Sequence, residues 1–155
     1  MPPNMKISVP KNDDEYFERM TKAIFQAGLN WKMIDNKWPN FESAFASFSI
    51  PKVAKFGDKQ ISTLMKNEGI VRNEGKIRAT IYNAQQAVLI EKEFGSFKDY
   101  FGSFGKDHTK LMEDIQSRFH HVGPSGSRTF LWMAGVKLEP TVEEKMWMSK
   151  NSVSE

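Results

Sequence analysis

From Phe17 the apolar residues of this chain recur at Met20, Ile24 and Ala27, the spacing of one helical face. Asn12 or Asp13 can cap that run and Gly28 stops it, which predicts a first helix. A second short helix is expected over Trp31 to Lys37. It should end before "WPN", because Pro39 biases Trp38 away from helical angles, and Phe41, Ala44, Phe45 and Phe48 then form a separate stripe. "SIPKVAKF" places proline at a helix first turn. "GDKQISTLMKNEG" offers Asp58 as cap, Ile61, Leu64 and Met65 as buried face, and Gly69 beyond the end. Ile77, Ile81, Ala84 and Val88 mark a long helix bounded by glycines. "GSFKDYFGSFGK" reads as a phenylalanine-rich connector, and Leu111, Ile115 and Phe119 define one more face within Asp107 to Phe119. No segment alternates at period two for long and no solenoid repeat is present, so the expectation is an all-α fold of eight to ten short helices. Residues 1–12, with Pro2, Pro3 and Pro10, read as an arm, 13–148 as a single helical domain and 149–155 as a polar tail.

Composition narrows this picture. At 155 residues the chain suits one domain with one core. The 12 phenylalanines, 4 tryptophans and 9 methionines supply bulk without the β-branched runs of strands. Zero cysteines exclude disulfides, thiolate zinc ligands and a cysteine nucleophile. With no signal-like start and no apolar run of about 18 residues, a soluble protein of the cytoplasm, or of the nucleus in a eukaryote, is expected. A net charge of +3 permits a polyanionic partner without demanding one.

The stretch "FHHVGPSGSRTFLWMAGV" carries chemistry of its own. An apolar approach, a glycine turn and a new helix form a helical hairpin that leaves backbone N–H groups unpaired. A phosphate can approach at Gly123 and Gly126, with Ser125, Ser127 and Arg128 adding contacts. The same residues also read as a plain junction, Gly123 and Pro124 ending one helix and opening the next. "MKNEGIVRNEGKIRATI" repeats the grammar, with Lys66, Arg72, Lys76 and Arg78 around the turn; Glu68 and Glu74 among them fit a solvated face equally. His120 and His121 are adjacent, point apart and make a poor metal pair.

"YFERMTKAIFQAGLNW", "FESAFASFSIPKVAKF", "NEGIVRNEGKIRATIYNAQ", "FGSFKDYF" and "VGPSGSRTFLWMAGV" occur in that order between about Val9 and Val136. Together they resemble the type I 3-methyladenine DNA glycosylases of the helix-hairpin-helix superfamily. The resemblance implies an enzyme that grips duplex DNA through the hairpin, flips out an alkylated base and hydrolyses its N-glycosidic bond in base excision repair. It implies a base pocket at Trp31 with Ala23 and Phe25, and a wedge at Gly28 and Leu29 that probes the opened stack. DNA-backbone contacts would come from Gly123, Ser125, Gly126, Ser127, Arg128, Arg72 and Lys76. A monomer acting on damaged duplex DNA is expected, with no cofactor.

The chain also departs from the family pattern. A glutamate that contacts the purine in relatives is Ala23 here, and the family's tryptophan before "SF" is Gly102. The family's zinc ligands are missing, with Pro140 and Glu144 where the C-terminal histidine and cysteine would fall, so no metal is expected. Glu143 lies about where other superfamily members keep a catalytic aspartate, and Glu18 flanks the pocket motif; either can equally be an ordinary helix acid. Ser125 stands where bifunctional relatives carry a Schiff-base lysine, which implies hydrolysis without strand cleavage. The alternative reading is a helix-hairpin-helix DNA-binding protein that has lost base excision.

Overall fold

The computed structural model describes residues 7–152. Among them there is no strand. The helices are α1 (Asp13–Gln26), α2 (Trp31–Ala44), α3 (Ile50–Ala54), α4 (Asp58–Met65), α5 (Glu74–Phe94), α6 (Phe97–Gly102), α7 (His108–Arg118), α8 (Pro124–Met133) and α9 (Val142–Ser152), with a 3-10 turn at Ala46–Phe48. The fold is all-α, as the periodicity predicts.

Polar side chains start most of these helices. Asn12, Asn30, Ser49, Asn73, Ser96 and Asp107 each accept a hydrogen bond from an amide of the turn that follows. α4 differs from expectation: Gly57, not Asp58, is its cap, and Gln60 closes the turn by accepting from the Gly57 N–H at 2.8 Å. The phenylalanine-rich connector holds α6, because Phe97 and Tyr100 fall on one side of it and are fully buried.

A larger correction concerns Pro39, which lies inside α2 instead of separating two helices. The missing N–H costs the helix about 3 kcal/mol in the usual case. Packing outweighs that loss. Trp38 stacks on Phe41 at 4.9 Å and on Phe48 at 5.2 Å between ring centroids, and its indole N–H donates to Glu18 at 2.8 Å. A helix broken at Trp38 would give up this arrangement.

α5 runs through the centre, touching α1, α3, α4 and α6, while α8 packs on α1 and α7. The core joins Phe17, Met20, Ile34, Phe41, Ile77 and Phe130 in one cluster. The N-terminal arm is fastened from residue 7 onward. Arg19 donates to the Ser8 carbonyl and, at 2.8 Å, to the Met133 carbonyl, and Val9 lies so close to Gly135 that a Cβ there would approach it to 3.2 Å. Residues 1–6 of the predicted arm and 153–155 of the predicted tail lie outside the described residues; within the tail, α9 continues to Ser152. Among the described residues, no helix is long and apolar enough to cross a membrane.

Candidate functional site

Three connections come together on one side of the molecule. The α1–α2 loop, residues 27–30, is wholly exposed; Gly28 adopts φ +75°, and Leu29 keeps 38% of its surface in solvent. Lys76, in the first turn of α5, reaches the Ala27 carbonyl at 3.1 Å, and partial burial pushes its ammonium pKa down. Gly75, beside it, faces the His121 imidazole, with 3.5 Å between the Nε2 and an ideal Cβ. His121 belongs to the α7–α8 turn and takes φ +58° there. The predicted wedge, the predicted hairpin and the start of α5 therefore adjoin through Lys76 and His121.

The α7–α8 hairpin is built around α5. Asn83, 1% exposed, donates from Nδ2 to the His120 carbonyl at 3.1 Å and accepts from the His120 N–H at 2.8 Å. Tyr82 stacks on the His120 ring with 3.6 Å between centroids. Val122 anchors the turn in the core, leaving Gly123, Pro124 and Ser125 exposed. Gly123 is the cap residue of α8 and supplies no side-chain bond, and Pro124 has no N–H. Among the described residues the amides of Gly123, Ser125 and Gly126 have no hydrogen-bond partner; the first amide of the turn that bonds back is Ser127, to the Gly123 carbonyl at 2.8 Å. An added Cβ at Gly123 would meet nothing within 4 Å. Exposed, uncommitted amides at the positive end of a ten-residue helix are donors that favour an anion.

Two side chains assigned to that grip are committed elsewhere. Ser127 is fully buried; its Oγ donates to the Pro124 carbonyl at 3.0 Å and accepts from Gln116 at 3.1 Å, so it holds the turn and its hydroxyl cannot reach a phosphate. Arg128 forms a two-pronged pair with Glu144 at 3.1 and 3.0 Å and donates to the Glu139 carbonyl at 2.9 Å. The guanidinium thus fastens the segment leading into α9 and, in return, pulls the Glu144 carboxyl pKa below its ordinary value. Arg72 is exposed, with no ion pair among the described residues.

Trp31 opens α2 and is half-buried, its ring tilted against Trp132 of α8 at 6.3 Å. Ala23 is buried one turn before the end of α1. Phe25, expected at the pocket, is instead a core residue, fully buried against Phe41 at 4.8 Å and Phe45 at 6.3 Å. A groove of about 480 Å³ between α4 and α5, bounded by Asp58, Lys66, Glu74 and Arg78 among others, includes neither tryptophan.

The candidate acids sit apart. Glu18 is half-buried between α1 and α2, where burial pushes its carboxyl pKa up, partly countered by the indole N–H of Trp38. Glu143 is exposed in the first turn of α9, next to the Arg128-bound Glu144. The donor set does not fit the zinc that the resemblance attaches to the family: Pro140 has no donor side chain, Glu144 is held by Arg128, and no cluster of three or more ligating side chains occurs among the described residues. Sequence reasoning missed Asn83, Tyr82 and Trp132. For Asn83 a signal existed, an amide in the middle of an apolar helical stripe.

Residues 6–126 match the family profile described as methyladenine glycosylase. The chain is 30% identical over 104 residues to the DNA-3-methyladenine glycosylase of Haemophilus influenzae, covering 67% of this chain and 56% of that protein. It is 34% identical over 97 residues to DNA-3-methyladenine glycosylase 1 of Escherichia coli, covering 62% and 52%. The chain thus spans about half the length of these curated relatives. Its fold is similar to that of 3-methyladenine DNA glycosylase I from Staphylococcus aureus, with a TM-score of 0.75 at 26% identity over 83% of this chain and 79% of that one. A variant of 3-methyladenine DNA glycosylase I solved in complex with 3-methyladenine gives 0.75 at 26% identity, over 88% and 86%.

Proposed function

The chain belongs to the methyladenine glycosylase family, and from that premise we propose that it is a monofunctional DNA glycosylase that excises an alkylated, 3-methyladenine-like base from duplex DNA. The observation that carries this reading is the shared face: uncommitted amides at Gly123, Ser125 and Gly126 beside an exposed Leu29 and a half-buried Trp31. The amides and Arg72 bind the sugar-phosphate strand, Gly28 and Leu29 enter the opened stack, and the extruded base lies on the Trp31 ring. A purine methylated on a ring nitrogen is cationic, so an indole face attracts it. The base leaves with the bonding electron pair of C1′–N, becoming neutral, while water adds its oxygen to C1′ and releases a proton. The products are free base and an abasic site.

Because the leaving group is already activated, the requirement for a strong general acid is small. Glu18 lies two turns before the end of α1, about 12 Å along the axis, and is tied to Trp38. Glu143 is exposed in the first turn of α9, beside the Glu144 that Arg128 holds, and Arg128 is one turn from Trp132 on α8. Glu143 is therefore the acid to test for support of the cationic transition state. The protein would work as a monomer on damaged duplex DNA, in the cytoplasm or nucleus.

Release of free 3-methyladenine from methylated duplex DNA tests the proposal. Wild-type protein should release it above the buffer rate, and Trp31→Ala should lower kcat/KM by roughly 10- to 100-fold, the worth of one base–aromatic stack. Duplex binding without any release would favour the DNA-binding protein that has lost excision.

A further inference from the structure

Arg128 is the only charged residue of α8. It follows Pro124 by four positions and Ser125 by three, so the three share one face of the helix. Long side chains of an α-helix lean toward its N-terminus, which carries the Arg128 stem back over the turn that holds the uncommitted amides of Ser125 and Gly126. The guanidinium is not free to serve that turn. Its Nε and Nη2 donate to the two Glu144 carboxylate oxygens at 3.1 and 3.0 Å, and Nη2 also reaches the Glu139 carbonyl at 2.9 Å. The two side chains keep 19% and 39% of their surface in solvent, so an incoming anion can reach them. A carboxylate held by two N–H donors of the fork stands where two phosphate oxygens would stand. Hydrogen bonds from Arg128 hold the Glu144 carboxyl below its ordinary pKa, which keeps it ionised at neutral pH.

We propose that Glu144 is a built-in competitor of DNA: in the free protein its carboxylate occupies the Arg128 fork, and a backbone phosphate must displace it before the guanidinium joins the grip. This rests on the glycosylase reading above and names a regulation of its DNA face. The exchange gives up two hydrogen bonds to a carboxylate and forms two to a phosphate, with no proton gained or lost. The Glu139 carbonyl keeps its bond throughout, so the segment leading into α9 stays in place. The consequence is a weaker hold on undamaged backbone than the amides and an unmasked Arg128 would give together.

The test measures binding of an undamaged duplex to the full chain by fluorescence anisotropy over a salt series. Glu144→Gln keeps the shape and removes the charge, so it should bind roughly fivefold more tightly than wild type at low salt, the worth of one competing ion pair. Its slope of log K against log salt should steepen by about 0.9, the mark of one further phosphate neutralised. Glu144→Ala should behave alike, and both gains should vanish once Arg128→Ala is added. Glu139→Gln removes the same charge without touching the fork and should change affinity by less than about twofold. Unchanged or weaker binding in both Glu144 variants overturns the proposal. So does an equal gain in Glu139→Gln, or a gain that survives Arg128→Ala. If no form binds duplex and methylated DNA yields no free base, the glycosylase reading itself fails; binding and base release without a gain in the Glu144 variants sink the competitor alone.

Discussion

At Glu91 a single carboxyl group links three helix starts. Its neighbours are Asp13, whose own carboxylate accepts from the Phe97 amide at 2.9 Å, and Asp14, which accepts from the Ile50 amide at 3.0 Å. Burial first, and then these neighbouring acids, push its pKa up to about 7 from an ordinary 4.5. A folded-state pKa above the unfolded value means the folded chain holds the proton more tightly. The stability from protonated Glu91 is therefore fully present below about pH 4.5 and is lost as pH rises through 7. Glu91→Gln, neutral at every pH, should be more stable than wild type above pH 7, with a flatter profile between those values. Urea midpoints measured from pH 4 to 8 check this, and parallel curves for the two proteins would refute it.

At the scale of elements, the hairpin is only as firm as its attachment to α5. Asn83 satisfies both the N–H and the carbonyl of His120 from a site with almost no solvent. Asn83→Ala should cost about 2–3 kcal/mol, because two backbone groups lose their partner together. It should also weaken duplex binding through a misplaced turn. Urea unfolding and a DNA titration measure the two effects; a stability change under about 0.5 kcal/mol would show that the clamp is dispensable. The same element shows what sequence makes legible. Helix spans were readable because apolar spacing and Asn, Ser and Asp caps are local. The Gly123 turn was readable for the same reason. The burial of Ser127 and the pairing of Arg128 were not, since their partners sit at Gln116, Glu139 and Glu144. Pro39 misled for a related reason: its penalty is local, while the rings that override it come from Phe41 and Phe48. Spacing also could not tell Phe25, turned into the core, from a pocket wall.

For the whole molecule, a net charge of +3 and the commitment of Arg128 to Glu144 leave few cations for DNA on the shared face. On the function proposed above, neutral amides would supply much of the grip, with Arg72 and Lys76 beside them. Salt dependence should then be shallow, a slope of log K against log salt near −2 to −3, about 0.9 for each phosphate neutralised. Fluorescence anisotropy across a salt series measures it, and a slope steeper than about −5 would mean that many more charges engage. The Lys76 bond to the Ala27 carbonyl carries a mechanical meaning. On the function proposed above, a loop driven between stacked bases is pushed back, and the recoil would pass through that lysine into α5. The tip of the loop would then behave as a braced chisel, with the double helix as the compliant member, deforming while the protein keeps its shape.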